Sequence, residues 1–337
     1  MSEQAVHHAL RRQLEDRRAR LSASVAREGR DADLVQLLRQ VDSVLARIGT
    51  EDYARCLVCN EHVDESELRF NPLAEYCLCD LSAEQEQALQ RDLERARRIQ
   101  AALLPDPELD SASWQASYRY EPAGIVSGDF CDLWVPPGDA EFVCFAVGDV
   151  AGKGVAASLL MAHLQAAIRS MIDADVPLPD LVRRVNRKLL GASIPTHYAT
   201  LACGRAHANG LVEIVNAGHC PPLVLRALGI DRVHATGFPV GLVDERPYEV
   251  ARLRLDPGDT LLLYTDGLSE ARLPSGEEYG EGRIERALAA HAGAGRPRHI
   301  VRELRRDLDS FLGETPRDDD LTLLVLRRAG EAQASAA

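Results

Sequence analysis

The chain has 337 residues, of which 46% are hydrophobic and 27% charged, and its formal net charge is −13. That length accommodates about two domains with buried cores, and neither part of the chain carries the basic excess that sequence-independent nucleic-acid binding draws on. No apolar run approaches the ~18 residues needed to cross a bilayer. The Arg- and Glu-rich start lacks the apolar centre of a secretory signal, so the reading is a cytoplasmic protein.

The first element expected is an antiparallel helical hairpin from about His7 to Gly49. Leu10, Leu14, Leu21 and Val25 recur at helical spacing, then Leu34, Leu37, Leu38, Val41, Leu45 and Ile48, with Gly29 as the turn. A loop-rich segment with four of the eight cysteines follows. Cys56 and Cys59 form a Cys-x-x-Cys turn, and Cys77 and Cys79, followed by Asp80, come after a gap of seventeen residues. Such a layout fits a structural zinc site, because a short segment with few large apolar residues needs a metal staple to stay ordered. The fourth ligand is either Cys79 or Asp80.

Ser82 opens the next helix, with Gln85 in capping-box position. Leu89, Leu93, Ala96, Gln100 and Leu103 mark one face before Pro105 and Pro107 end it. This stripe reads equally as a homodimer seam and as a face packed on its own domain.

Past Pro107 the texture changes to short β-rich runs at 115–120, 142–147, 211–215, 260–264 and 321–326. Helical stretches fall near 155–172, 178–190, 282–292 and 298–312. Strands, helices, strands, helices and a closing strand predict an α+β fold, a two-layered β core covered by helices. The remaining cysteines, Cys131, Cys144, Cys203 and Cys220, read as small core residues.

Four acidic motifs sit at the ends of these runs: Gly128-Asp129-Phe130-Cys131-Asp132, Gly148-Asp149-Val150, Thr265-Asp266-Gly267 and Asp318-Asp319-Asp320. A buried strand delivers its terminal residue to a fixed position, and converging carboxylates repel one another unless cations neutralise them. Hard oxygen donors of this kind suit Mg2+ or Mn2+. Two such ions lower the pKa of a bridging water, which then attacks phosphorus without a protein nucleophile. The stretch from Gly148 to Gly154, with Lys153, looks superficially like a phosphate-binding loop, but the gap between its glycines is wrong and Gly154 stands where Ser or Thr would coordinate Mg2+. His219 is read as a structural turn residue in preference to a general acid.

The order and wording of these motifs resemble the SpoIIE/RsbU class of type 2C-like (PPM) phosphatases. The resemblance covers Ser127 to Asp132, Val147 to Ala157, Asn216 to His219, Gly237 to Leu242, Leu263 to Ala271 and Asp318 to Thr322. It implies an α-β-β-α sandwich with a dinuclear Mn2+ or Mg2+ site. Asp129 and Asp149 would hold the metal pair with help from the Val150 carbonyl, and Asp266 and Asp319 would complete it, with Asp320 able to share or take the last role. The class usually has a second glycine where Ser127 stands and an aromatic where Cys131 stands. It also implies a movable helix after Gly154 that switches activity. The implied substrate is a phosphorylated STAS-domain anti-sigma factor antagonist.

The cysteine segment resembles the zinc finger of the TraR/DksA family, whose second pair is normally Cys-x-x-Cys. That likeness brings a second expectation of a different class, RNA-polymerase binding through Asp31 and Asp33 at the hairpin tip, or a non-catalytic scaffold. The expected organisation is therefore a hairpin and zinc finger over 1–81, a linker helix over 82–107, a phosphatase domain over 108–328 and a flexible tail over 329–337.

Overall fold

The computed structural model describes residues 11, 14, 15, 18, 22, 32–48, 83–136, 142–171, 176–192, 198–244, 246–291 and 295–330. The chain divides into two compact units, Met1–Gln90 and Arg91–Ala337. In the first, helix α1 (Ala32–Arg47) buries Val41 and Val44, with Ile48 just past its end, and Leu14 is buried in the same unit. Arg18 pairs with Asp42 at 2.5 Å. The hairpin turn, Asp31 and the cysteine segment with Cys56, Cys59, Cys77, Cys79 and Asp80 lie outside the described residues.

Helix α2 (Ala83–Leu103) leads into the second unit, where the described residues form eleven strands in two antiparallel sheets. One sheet runs β1 (Glu108–Asp110), β2 (Trp114–Glu121), β11 (Leu321–Arg328), β10 (Thr260–Tyr264), β7 (Leu223–Arg226) and β8 (Gly229–Arg232). The other runs β3 (Asp129–Trp134), β4 (Phe142–Val150), β5 (Ala199–His207), β6 (Leu211–Ala217) and β9 (Ala251–Arg254).

The side-chain alternation of a strand builds the layers. On β4, Val143, Phe145 and Val147 face the opposite sheet, where they meet Leu261, Leu263, Leu324 and Leu326. Cys144, Ala146 and Val150 point the other way, onto α3 (Gly154–Met171) and α4 (Leu178–Ala192), through Met161, Leu164, Ile168, Leu181 and Val185. On the far sheet, Leu262, Tyr264, Leu323 and Val325 pack on α6 (Glu281–Ala289) and α7 (Pro297–Leu312) through Ile284, Leu288, Ile300, Leu304 and Leu308. The result is helices, sheet, sheet, helices, each interface closed by apolar burial at roughly 25 cal/mol per Å². A short helix, α5 (Asp266–Ser269), follows β10 directly.

Candidate active site

The acidic motifs meet at one edge of the sandwich because strand ends and close backbone approaches put them there. Asp129 and Asp149 are direct cross-strand partners of β3 and β4. Phe130 lies opposite Gly148, where a Cβ would stand 2.3 Å from its ring, so the pairing requires glycine at that position. Gly267 plays the same part across the other sheet. A Cβ there would stand 1.8 Å from the Asp320 carbonyl, so the Asp-Gly turn after β10 lies flush against the Asp318-Asp319-Asp320 loop before β11.

The carboxylates differ in what holds them. Asp129 is buried, and its Oδ2 accepts from Thr265 Oγ1 at 2.8 Å and Thr322 Oγ1 at 2.7 Å. Burial and the facing Asp149 nonetheless push its carboxyl well above the usual range. The Asp149 carboxylate receives no hydrogen bond among the described residues. Burial first, then Asp266, Asp319 and Asp320, push it up to about 7. Asp266 is raised by burial and by Asp319. Asp320 is tied on both oxygens, Oδ1 by the Ala123 N–H at 2.7 Å and Oδ2 by the Ser127 hydroxyl at 2.7 Å and the Gly128 N–H at 3.0 Å. Asp319 is exposed and accepts from the Asp320 N–H at 2.9 Å.

Asp132, in the first motif, faces away from this edge. It is buried in a two-pronged pair with Arg169 of α3, at 2.7 and 2.8 Å. His219 is also buried, its Nδ1 at 2.8 Å from the Thr200 hydroxyl. Burial holds its imidazole down to about 4, the nearby Tyr264 backbone opposing this only in part. The ring is therefore neutral at ordinary pH and braces the turn without the imidazolium that a general acid would need.

Several contributors lie outside the ligand set expected from the sequence. Ser127, where a glycine is usual in the resembled class, supplies the hydroxyl that joins Asp320 to the Asp129 N–H, the latter at 3.0 Å. Thr265 and Thr322 stand inside the motifs, but nothing in the sequence marks their hydroxyls as supports of Asp129. Gln100 enters from α2 and hydrogen-bonds the Ser127 backbone.

The donor set is entirely oxygen, which suits Mg2+ or Mn2+. Among the described residues no three acidic, His or Cys side chains close into a ready coordination shell. Oxygens do, however, converge beside Gly128. A Cβ on Gly128 would lie 3.0 Å from the Val150 carbonyl oxygen and 3.5 Å from Asp149 Oδ1. A glycine here leaves room that any side chain would fill, beside Asp149 and Asp266, whose repulsion a cation would relieve. The residues fit a hard divalent ion.

A layered sandwich with this acidic edge defines a PP2C-type phosphatase domain. The solved SiaA-PP2C domain of Pseudomonas aeruginosa matches it with a TM-score of 0.63 at 23% identity, over 73% of this chain and 99% of that one. The chain belongs to the family described as Stage II sporulation protein E (SpoIIE), whose profile matches residues 139–329. Protein IcfG of Synechocystis sp. is 30% identical over 266 residues, 70% of this chain but 41% of that protein. Phosphoserine phosphatase RsbU of Bacillus subtilis is 23% identical over 246 residues, 72% of each chain. The chain thus spans less than half the length of IcfG. By fold and family, the second unit is a phosphoprotein phosphatase domain.

Proposed function

We propose that this protein hydrolyses phosphoserine or phosphothreonine on a regulatory partner protein. The observation that carries this is the gap at Gly128, where the Val150 carbonyl and Asp149 share a space beside Asp266 and Asp319. Asp129, Asp149 with the Val150 carbonyl, Asp266 and Asp319 would hold two Mn2+ or Mg2+ ions. Asp320 serves that set from behind by fixing the Ser127-Gly128 backbone. When bound, the ions supply an activated water and neutralise the phosphoryl oxygens. The protein's own contribution is orientation. Thr265 and Thr322 fix the Asp129 carboxylate, and Gly267 fixes the spacing of Asp266 from the Asp319 loop.

The partner proposed is a phosphorylated STAS-domain anti-sigma factor antagonist, supported by the likeness to RsbU and the SpoIIE family. The protein is read as cytoplasmic; among the described residues no helix is long and apolar enough to cross a membrane. We further propose that Cys56, Cys59, Cys77 and either Cys79 or Asp80 bind a structural zinc ion in an input module over residues 1–81. A homodimer through the linker helix would relay its state. On α2, Leu89 and Leu103 are exposed while Gln100 is buried, so the apolar stripe is only partly covered.

The test is phosphate release from a phosphoserine protein, with Mn2+ and with EDTA, for wild type and Asp266→Asn. Turnover that requires metal and drops by about a hundredfold or more in the variant is expected. Metal-independent turnover, or an Asp266→Asn variant as active as wild type, contradicts the reading.

A further inference from the structure

The Gly152-Lys153-Gly154 segment, dismissed above as a phosphate loop, is left without a role by the mechanism. Its lysine points elsewhere than a phosphate. Lys153 Nζ lies 3.1 Å from Asp319 Oδ2 and donates to the Asp318 carbonyl at 2.6 Å. The other Asp319 oxygen, Oδ1, is already taken by the Asp320 N–H. Lys153 therefore holds the Asp319 oxygen that no backbone N–H occupies.

We infer that Lys153 is the resident counter-ion of Asp319, and that a divalent cation loads the site by displacing it. This rests on the metal reading given above. An ammonium and a divalent ion on one carboxylate oxygen repel each other, so both cannot be accommodated at contact distance. The displacement is easy on the lysine's side. Its side chain is 51% exposed. Gly152 and Gly154 adopt φ of 106° and 78°, with no atom within 4 Å of where a Cβ would stand, so the backbone on either side has open space. The same ammonium favours the ionised forms of Asp149 and Asp266. Lys153 thus partly offsets the repulsion among the carboxylates before metal arrives, at the cost of weaker metal binding. Since α3 begins at Gly154, metal occupancy also decides where the start of that helix is tethered.

Titration of MnCl2 into the full-length, EDTA-stripped and dialysed protein tests this by calorimetry, for wild type, Lys153→Met and Lys153→Arg. The expected result is an Mn2+ affinity about three- to tenfold tighter for Lys153→Met and within about twofold of wild type for Lys153→Arg. Lys188→Met, which removes an exposed charge from α4, leaves the affinity unchanged. In EDTA, Lys153→Met should melt only a degree or two lower, because an exposed pair contributes little. A Lys153→Met variant that binds Mn2+ no more tightly than wild type overturns the inference while leaving the metal reading intact. Absence of any Mn2+ binding in wild type and variants overturns the metal reading, and the displacement with it.

Discussion

The side chain of Gln100 and the backbone of Ser127 form a closed, reciprocal pair: Gln100 Nε2 donates to the Ser127 carbonyl at 2.8 Å, and the Ser127 N–H donates to Gln100 Oε1 at 3.0 Å. Gln100 is buried, and the residue it grips carries the hydroxyl that binds Asp320 and precedes the Gly128-Asp129 turn. A second glutamine, Gln165 of α3, donates to the Leu103 carbonyl at 2.9 Å. The end of α2 is thus fastened both to the acidic edge and to the helix that starts beside it.

Replacing Gln100 by Met keeps most of the volume and strips both hydrogen bonds, leaving a buried N–H and C=O unpaired. Each such group costs about 1–3 kcal/mol, so the variant should lose roughly 2–6 kcal/mol, or about 4–24 °C in Tm. Because the Ser127–Asp129 turn loosens, phosphate release should fall on the order of tenfold or more at saturating metal. Melting curves and turnover together check this. Unchanged values for both would mean that the pair is incidental to the site.

How much of this was legible beforehand follows from the kind of signal each residue carries. Strands β4, β10 and β11 are dense runs of Val, Leu and Phe, and they stand within three residues of where the apolar pattern places them. The four helices of the sandwich, with their amphipathic spacing, do so as well. Strand β3 is hidden inside an acidic motif, Asp-Phe-Cys-Asp-Leu-Trp, and β5 is largely Ala, Gly, Thr and Cys. Their burial comes from pairing on both sides of β4, which no local pattern announces. The carboxylates are legible because Asp-Gly and Asp-Asp stand out at strand ends. The groups that hold them are not. Thr265 and Thr322 lie 57 positions apart, yet the Thr322 N–H donates to Thr265 Oγ1 and both hydroxyls converge on Asp129. Gln100 sits in a helical stripe that fits a dimer seam as well as it fits a buried face.

His219 sets an acid limit on stability. Its folded pKa, about 4, lies below the value of 6.5 for a free imidazole, because burial penalises the charged ring. The contribution is therefore fully present above pH 6.5 and is lost as pH falls toward 4, amounting to roughly 3 kcal/mol at most. The carboxyls nearby are raised and act in the opposite sense, so the test is a difference. The stability gap between wild type and His219→Gln should narrow steadily from pH 7 to pH 4 in EDTA, with carboxylate terms common to both proteins cancelling. A gap that stays constant across that range would show that His219 does not titrate as a buried base.

Gly128 separates the fit of the metal from the integrity of the fold. The added methyl of Gly128→Ala would sit 3.0 Å from the Val150 carbonyl oxygen and 3.5 Å from both Asp149 Oδ1 and the Ala157 Cβ. The contact with the carbonyl is tight but can be relieved by a few tenths of an ångström, and Gly128 has no positive φ that would strain an alanine. The cost to folding should therefore stay within the 1–3 kcal/mol typical of overpacking. The methyl does, however, occupy the space in which the Val150 oxygen and Asp149 would share an ion, and a hard divalent cation tolerates little distortion of its ligand geometry. Mn2+ affinity measured by calorimetry should drop about tenfold or more, and phosphate release at low Mn2+ should drop with it. Gly191→Ala on α4 is the matched control: no atom lies within 4 Å of its added Cβ, and an alanine in a helix should add about 0.5–1 kcal/mol without touching Mn2+ binding. If Gly128→Ala bound Mn2+ as wild type does, the cation would not sit beside the Val150 oxygen, and the ligands would have to be sought among Asp266 and Asp319 instead.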